Sequence, residues 1–101
     1  MEVQIAPNWA DIEGAVAAVE AAKERPGFLA LTIELRTVRP VDGFLCMVDK
    51  GDRRIEVLIP ADLARDLKLA AGDRLACRVR RGGPQKIYFV HREHVRRLGH
   101  H

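Results

Sequence analysis

Apolar and polar residues alternate through much of this chain, and the period changes from segment to segment. Leu29, Leu31, Ile33 and Leu35 fall on one parity, with Thr32, Glu34 and Arg36 on the other. A period of two marks a half-buried strand, here from Phe28 to Arg39. Ile55, Val57 and Ile59 repeat the pattern from Arg54 to Ile59, and Pro60 ends it because proline cannot donate to a ladder. Leu75, Cys77 and Val79 alternate with Arg74, Ala76, Arg78 and Arg80 in a further strand. A last one alternates Ile87 and Phe89 (taken as inward) with Tyr88 and Val90 (taken as outward). Phe44 to Val48 is apolar on both parities and is read as a fifth strand, entered through the Pro40-Val41-Asp42-Gly43 turn. Two segments carry the helical period instead. Leu63 and Leu67 share a face of a short helix after Pro60, with Asp62 in its first turn and Lys68 near its last. Trp9, Ile12, Val16 and Val19 form a stripe at helical spacing, with Asn8 as N-cap and Pro26-Gly27 as the stop.

The organisation expected is therefore an N-terminal arm and amphipathic helix over residues 1–27, a barrel over 28–92 and a basic tail over 93–101. The terminal Gly99-His100-His101 reads as the start of a purification tag and is set aside. At 101 residues and 48% hydrophobic content the chain suffices for one domain with its own core. No apolar run is long enough for a membrane helix and no signal-peptide pattern opens the chain, so a cytoplasmic protein without a membrane partner is expected. Two cysteines, Cys46 and Cys77, make no disulfide framework and are assigned to inward faces.

The net charge of +3 conceals an asymmetry. Residues 1–27 hold five acidic and two basic side chains, whereas residues 73–99 hold eight basic and two acidic ones. A basic half on a small domain is the electrostatic footprint of a polyanion binder. A solvated arginine-rich surface is the plainer explanation of the same composition.

Strand, strand, strand, helix, strand, strand over residues 28–91 resembles the OB-fold, a five-stranded Greek-key barrel, as found in small bacterial domains. The segments that carry the resemblance are FLALTIELRTV, FLCMVDKGDRRIEVLIP, ADLARDL, AAGDRLACRV and KIYFV. The fold class expected is mainly β (α+β): a five-stranded OB-like barrel with an added N-terminal helix and a short helix between strands three and four. The resemblance implies nucleic-acid binding across two central strands and two loops. A second, local resemblance runs through RIEVLIPADLARDLKLAAGDRLACRV. Its Ile59-Pro60, Leu63, Leu67, Leu69 and Gly72-Asp73 are similar to the AbrB/MazE swapped-hairpin type, which implies an interleaved DNA-binding dimer. A weaker similarity to the molybdate-binding TOBE/Mop type rests on the same Gly-Asp phrase.

The candidate nucleic-acid contacts are Arg36, Arg39, Arg54, Arg74, Arg78, Arg80, Arg81 and Lys86, with Tyr88 as an outward stacking surface. Guanidinium groups fork onto phosphate oxygens, and bases stack on aromatic rings. Aromatic residues make up only 5% of the chain, which favours backbone contacts, to single strands or RNA, over base readout. The amphipathic N-terminal helix and the doubly apolar FLCMV segment leave room for a protein partner or self-association. Catalysis finds no support: the chain has no serine, its acids are scattered, and RRGGPQK is no phosphate loop. His91-Arg92-Glu93-His94 lacks the spacing and third ligand of a zinc site. No enzyme, metal or cofactor is expected.

Overall fold

The computed structural model describes residues 7–49, 51–82 and 87–100. Five strands and one short helix follow one another as β1 (Ala10–Ala21), β2 (Phe28–Pro40), β3 (Arg54–Pro60), α1 (Ala61–Asp66), β4 (Asp73–Arg81) and β5 (Ile87–His100). The strands close a ring in the order β1-β2-β3-β5-β4. Every neighbouring pair is antiparallel except β3 and β5, which run parallel. Closure leaves no open edge along the sheet, and all five strands come from the one chain. Among the described residues no helix is long and apolar enough to cross a membrane.

The core is the inward parity of each strand. Val16, Leu31, Ile33, Val57, Ile59, Leu75 and Val79 are each at most 1% exposed. Burying an aliphatic side chain of this kind contributes about 1.5–3 kcal/mol, which is what commits each strand to one register. Ala64 of α1 joins the same cluster, so the helix packs against the barrel it interrupts.

The amphipathic N-terminal helix does not form; its residues are β1, a full member of the ring. Ala10, Ile12, Gly14 and Val16 are buried, and the residues between them are more exposed. The stripe Ile12, Val16, Val19 fits both periods. A separation of four is even, so it keeps parity in a strand as well as one face of a helix. The step of three from Val16 to Val19 is absorbed by a bulge: Val16 pairs with Ile33, Ala18 with Thr32 and Val19 with Leu31, leaving Ala17 as the extra residue. Pairing on both sides, to β2 and to β4, outweighs the helix propensity of the alanines. Asn8, expected to cap a helix, instead binds the end of β4. Its side-chain amide donates to the Arg81 carbonyl at 3.2 Å and its Oδ1 accepts from the Arg81 N–H at 2.7 Å.

Phe44–Val48 is not a strand either. Phe44 and Leu45 are 43% and 57% exposed, Cys46 is exposed rather than inward, and only Val48 reaches the core. The segment is held by single contacts, from the Trp9 N–H to the Leu45 carbonyl at 3.1 Å and from the Tyr88 hydroxyl to the Met47 carbonyl at 3.2 Å. The count of five strands therefore survives with a different membership.

At the other end of the chain, residues 93–100 extend β5 rather than forming a separate tail. Val95 pairs with Cys77, Gly99 with Arg74 and His100 with Asp73. Between Val79–Val90 and Cys77–Val95 the ladder skips, so His91 to His94 stand opposite Arg78 alone. Asp73, fully buried, anchors this end by accepting from the Ala70 N–H at 2.8 Å and from Arg97 at 3.2 Å.

Candidate functional site

The parity of β5 decides where an aromatic surface lies. Val79 pairs with Val90 on the inside, so Arg80 and Phe89, the next pair, lie outside, and Tyr88 beside Arg81 returns to the interior. Tyr88 is accordingly 0% exposed. It is a core residue tied to Met47, not an outward stacking surface, and the inward assignment of Ile87 and Phe89 is reversed with it. A slip of one residue exchanges every side chain between the two faces, and the large buried phenol wins the interior position here.

Phe89 takes the outward role. The Arg25 guanidinium lies 4.9 Å from its ring centroid and that of Arg80 lies 5.8 Å away. Phe28 meets it edge to face at 6.4 Å. The ring also leans on the backbone at Gly82, where an added Cβ would fall 2.5 Å from the ring edge. Arg25 belongs to the connection between β1 and β2, and Gly82 begins the connection between β4 and β5. Two loops distant in sequence thus meet at one aromatic ring. Each cation over a ring face contributes about 0.5–1 kcal/mol at a surface.

A single register row runs through this place: Glu20 pairs with Ala30, Ala30 with Leu58, Leu58 with Phe89 and Phe89 with Arg80. The row below it carries Thr32, Glu56 and Ile87. Apart from Glu56, small and apolar side chains therefore floor the outer face of β2, β3 and β5 here. Beneath the β1–β2 connection that floor forms a pocket of about 250 Å³, walled by Lys23, Glu24 and Arg25.

The arginines singled out from sequence are dispersed by the fold. Arg80 stands over Phe89 and Arg81 follows it at the end of β4. Arg78 is engaged elsewhere: its Nε and Nη2 donate to Asp11 at 2.8 and 3.2 Å. That hydrogen bond, reinforced by the charge, holds the Asp11 carboxyl below its ordinary value and raises Arg78. Arg54 is ion-paired with Glu34. Arg39 registers with Asp11 from the β2 side. Arg36 is the extra residue of a bulge in β2, beside Arg53 in a shallow recess. Arg74 sits half-buried near the start of β4. Lys86 lies outside the described residues. A wider groove of about 540 Å³ between β1, β2, β4 and β5 contains Arg39, Arg78 and Arg96. Asp11, Glu13 and Glu93 in the same groove balance them, so it offers no excess of positive charge.

The residues missed from sequence are Arg25, Phe28 and Phe89. The signal for Phe89 was present as the alternation itself, one position out of phase. Arg25 carried no signal, because only ring closure brings its loop to β5. Cys77 is buried, and burial pushes its thiol up to about 12, with the Asp11 charge adding to the effect. Among the described residues no group of three or more His, Cys, Asp or Glu is placed to hold a metal ion. No protein-family model matches the chain, and no curated protein matches it significantly.

Proposed function

We propose that the protein is a nucleic-acid-binding module of the OB type that engages single strands at the Phe89 face. The observation that carries the proposal is the paired approach of Arg25 and Arg80 to the Phe89 ring, with Phe28 alongside. A base stacks on the ring while the guanidinium groups turn to the flanking phosphates. Such a stack contributes about 1–3 kcal/mol per base and tolerates any sequence, since every base has a π-face. The position supports the same reading. Five-stranded Greek-key barrels bind oligonucleotides across strands two and three, between the loops that follow strands one and four. Arg25 and Gly82 lie on those two loops.

The test is fluorescence anisotropy with labelled single-stranded RNA, single-stranded DNA and duplex DNA at low and moderate salt. The proposal predicts preference for single strands, with a salt slope of about −0.7 per phosphate neutralised. Phe89→Ala should weaken binding by about tenfold or more, and Arg80→Glu should lower both affinity and slope. Equal binding by wild type and both variants refutes the site, and tight duplex binding refutes the single-strand assignment.

A protein-docking role is the second reading, and it has one observation of its own. Phe44 and Leu45 are large apolar side chains left exposed next to each other. Absence of nucleic-acid binding together with self-association lost in Leu45→Glu would bring it forward.

A further inference from the structure

The 250 Å³ pocket beside Phe89 is unlike the ring surface itself. Apolar Ala30, Leu58 and Ile87 line it around Glu56, and Glu20 and Glu24 add two further carboxylates to the lining. Sites for drug-sized ligands span about 300–1,000 Å³, so this one suits a single planar ring system. Carboxylates repel a phosphate backbone, so on a nucleic-acid face they weaken affinity unless they accept a hydrogen bond from the ligand. Glu56 is the best placed of the three. It sits on β3 in the middle of the floor, paired with Thr32 on one side and Ile87 on the other. Its carboxylate is exposed and makes no hydrogen bond or ion pair among the described residues. Glu56 pairs with Ile87 and Leu58 with Phe89, with only the inward Val57–Tyr88 pair between them, so a base seated here neighbours one stacked on the ring.

We infer that this pocket selects a base bearing an exocyclic amino group, with Glu56 as the acceptor that reads it. The inference rests on the single-strand reading of the Phe89 face and adds a specificity to it. Cytosine presents a donor at N4 that a carboxylate accepts, whereas thymine and uracil present a carbonyl oxygen at the same position and oppose it. Lys23 and Arg25, on the wall of the pocket, lie where the phosphates flanking such a base would pass. Phe89 then supplies sequence-tolerant stacking, and Glu56 makes the neighbouring position selective.

The experiment compares labelled oligo-dC and oligo-dT of equal length against wild type, Glu56→Gln and Phe89→Ala, with thermal melts confirming that each variant folds. Wild type should bind oligo-dC roughly tenfold more tightly than oligo-dT, the discrimination of one good base contact. Glu56→Gln should bring the two within about twofold, mainly by improving oligo-dT, because the amide no longer opposes a carbonyl. Phe89→Ala should weaken both alike. Equal wild-type affinity for the two oligomers, or an unchanged ratio in Glu56→Gln, overturns the selectivity while leaving the Phe89 site standing. Failure of wild type to bind either overturns the single-strand reading and the selectivity together.

Discussion

Replacing Gly14 by alanine separates two accounts of the N-terminal segment by the sign of its effect. In an amphipathic helix the change would stabilise by about 1 kcal/mol, since glycine is the poorest ordinary helix former. In β1 the outcome is opposite. A Cβ on Gly14 would lie 2.2 Å from the Glu34 carbonyl oxygen, 3.0 Å from the Glu34 carbonyl carbon and 2.8 Å from an Ile33 methyl. Two of these atoms are backbone of the paired strand, and the third belongs to a side chain only 1% exposed. None can move without disturbing the β1–β2 ladder beside the bulge at Arg36. Overpacking a rigid site costs about 1–3 kcal/mol, and backbone displacement places Gly14→Ala at the upper end, near 3 kcal/mol. For a domain of this size each kcal/mol shifts Tm by about 4–8 °C, so the melt should fall by more than about 10 °C. Thermal and urea denaturation followed by circular dichroism measure it. A Tm equal to or above that of wild type would refute the strand assignment and the barrel that depends on it.

Other positions give independent checks. The exposed Cys46 thiol should react with an alkylating reagent at neutral pH. Cys77, buried and with its thiol pushed up to about 12, should react only on unfolding, so two fast-reacting thiols would contradict the β4 register. The Asp11 carboxyl is held low by its hydrogen bond from Arg78, so its stabilisation is present above the ordinary carboxylate pKa and is lost as pH falls through the depressed folded value. The Tm difference between wild type and Asp11→Asn should therefore be largest near neutrality and vanish in strong acid; a pH-independent difference would argue against the pair. Asp73→Ala should cost about 1–3 kcal/mol in denaturant melts by leaving the Ala70 N–H without its acceptor, and a neutral result would contradict its anchoring role. Val79→Asp, placing an unpaired charge where the side chain is 1% exposed, should abolish the cooperative melt.

Much of the barrel was legible because its strands keep a strict period of two around large aliphatic residues. Leu31, Ile33, Val57, Ile59, Leu75 and Val79 declare their faces without ambiguity. The β1 segment was not legible, because Ile12, Val16 and Val19 satisfy two periods and alanine-rich composition favours the helical one. Nothing local distinguishes them; partners on β2 and β4, from Leu31 to Cys77, decide. The FLCMV segment failed for the converse reason, having strand propensity but, with β1 in the ring, only the single bridge from Leu45 to Asn8 among the described residues. The extension of β5 was hidden by its sequence, VHREHVRRLG, in which a bulge at His91 to His94 breaks the alternation. At the site, the outward aromatic was anticipated one residue away from where it is. The basic asymmetry pointed to arginines that the fold scatters over several faces: Arg80 stands over Phe89, whereas Arg54 is ion-paired with Glu34 and Arg78 with Asp11.

The most direct measurement of the central claim is a backbone amide NMR titration of the labelled protein with an unlabelled single-stranded oligonucleotide. The account predicts that the shifts concentrate at Arg25, Phe28, Glu56, Ile87, Phe89 and Arg80, with Arg39, Arg78 and Arg96 left near their free positions. Shifts centred on the Arg39–Asp11–Arg78 groove, or none at saturating oligonucleotide, would contradict it.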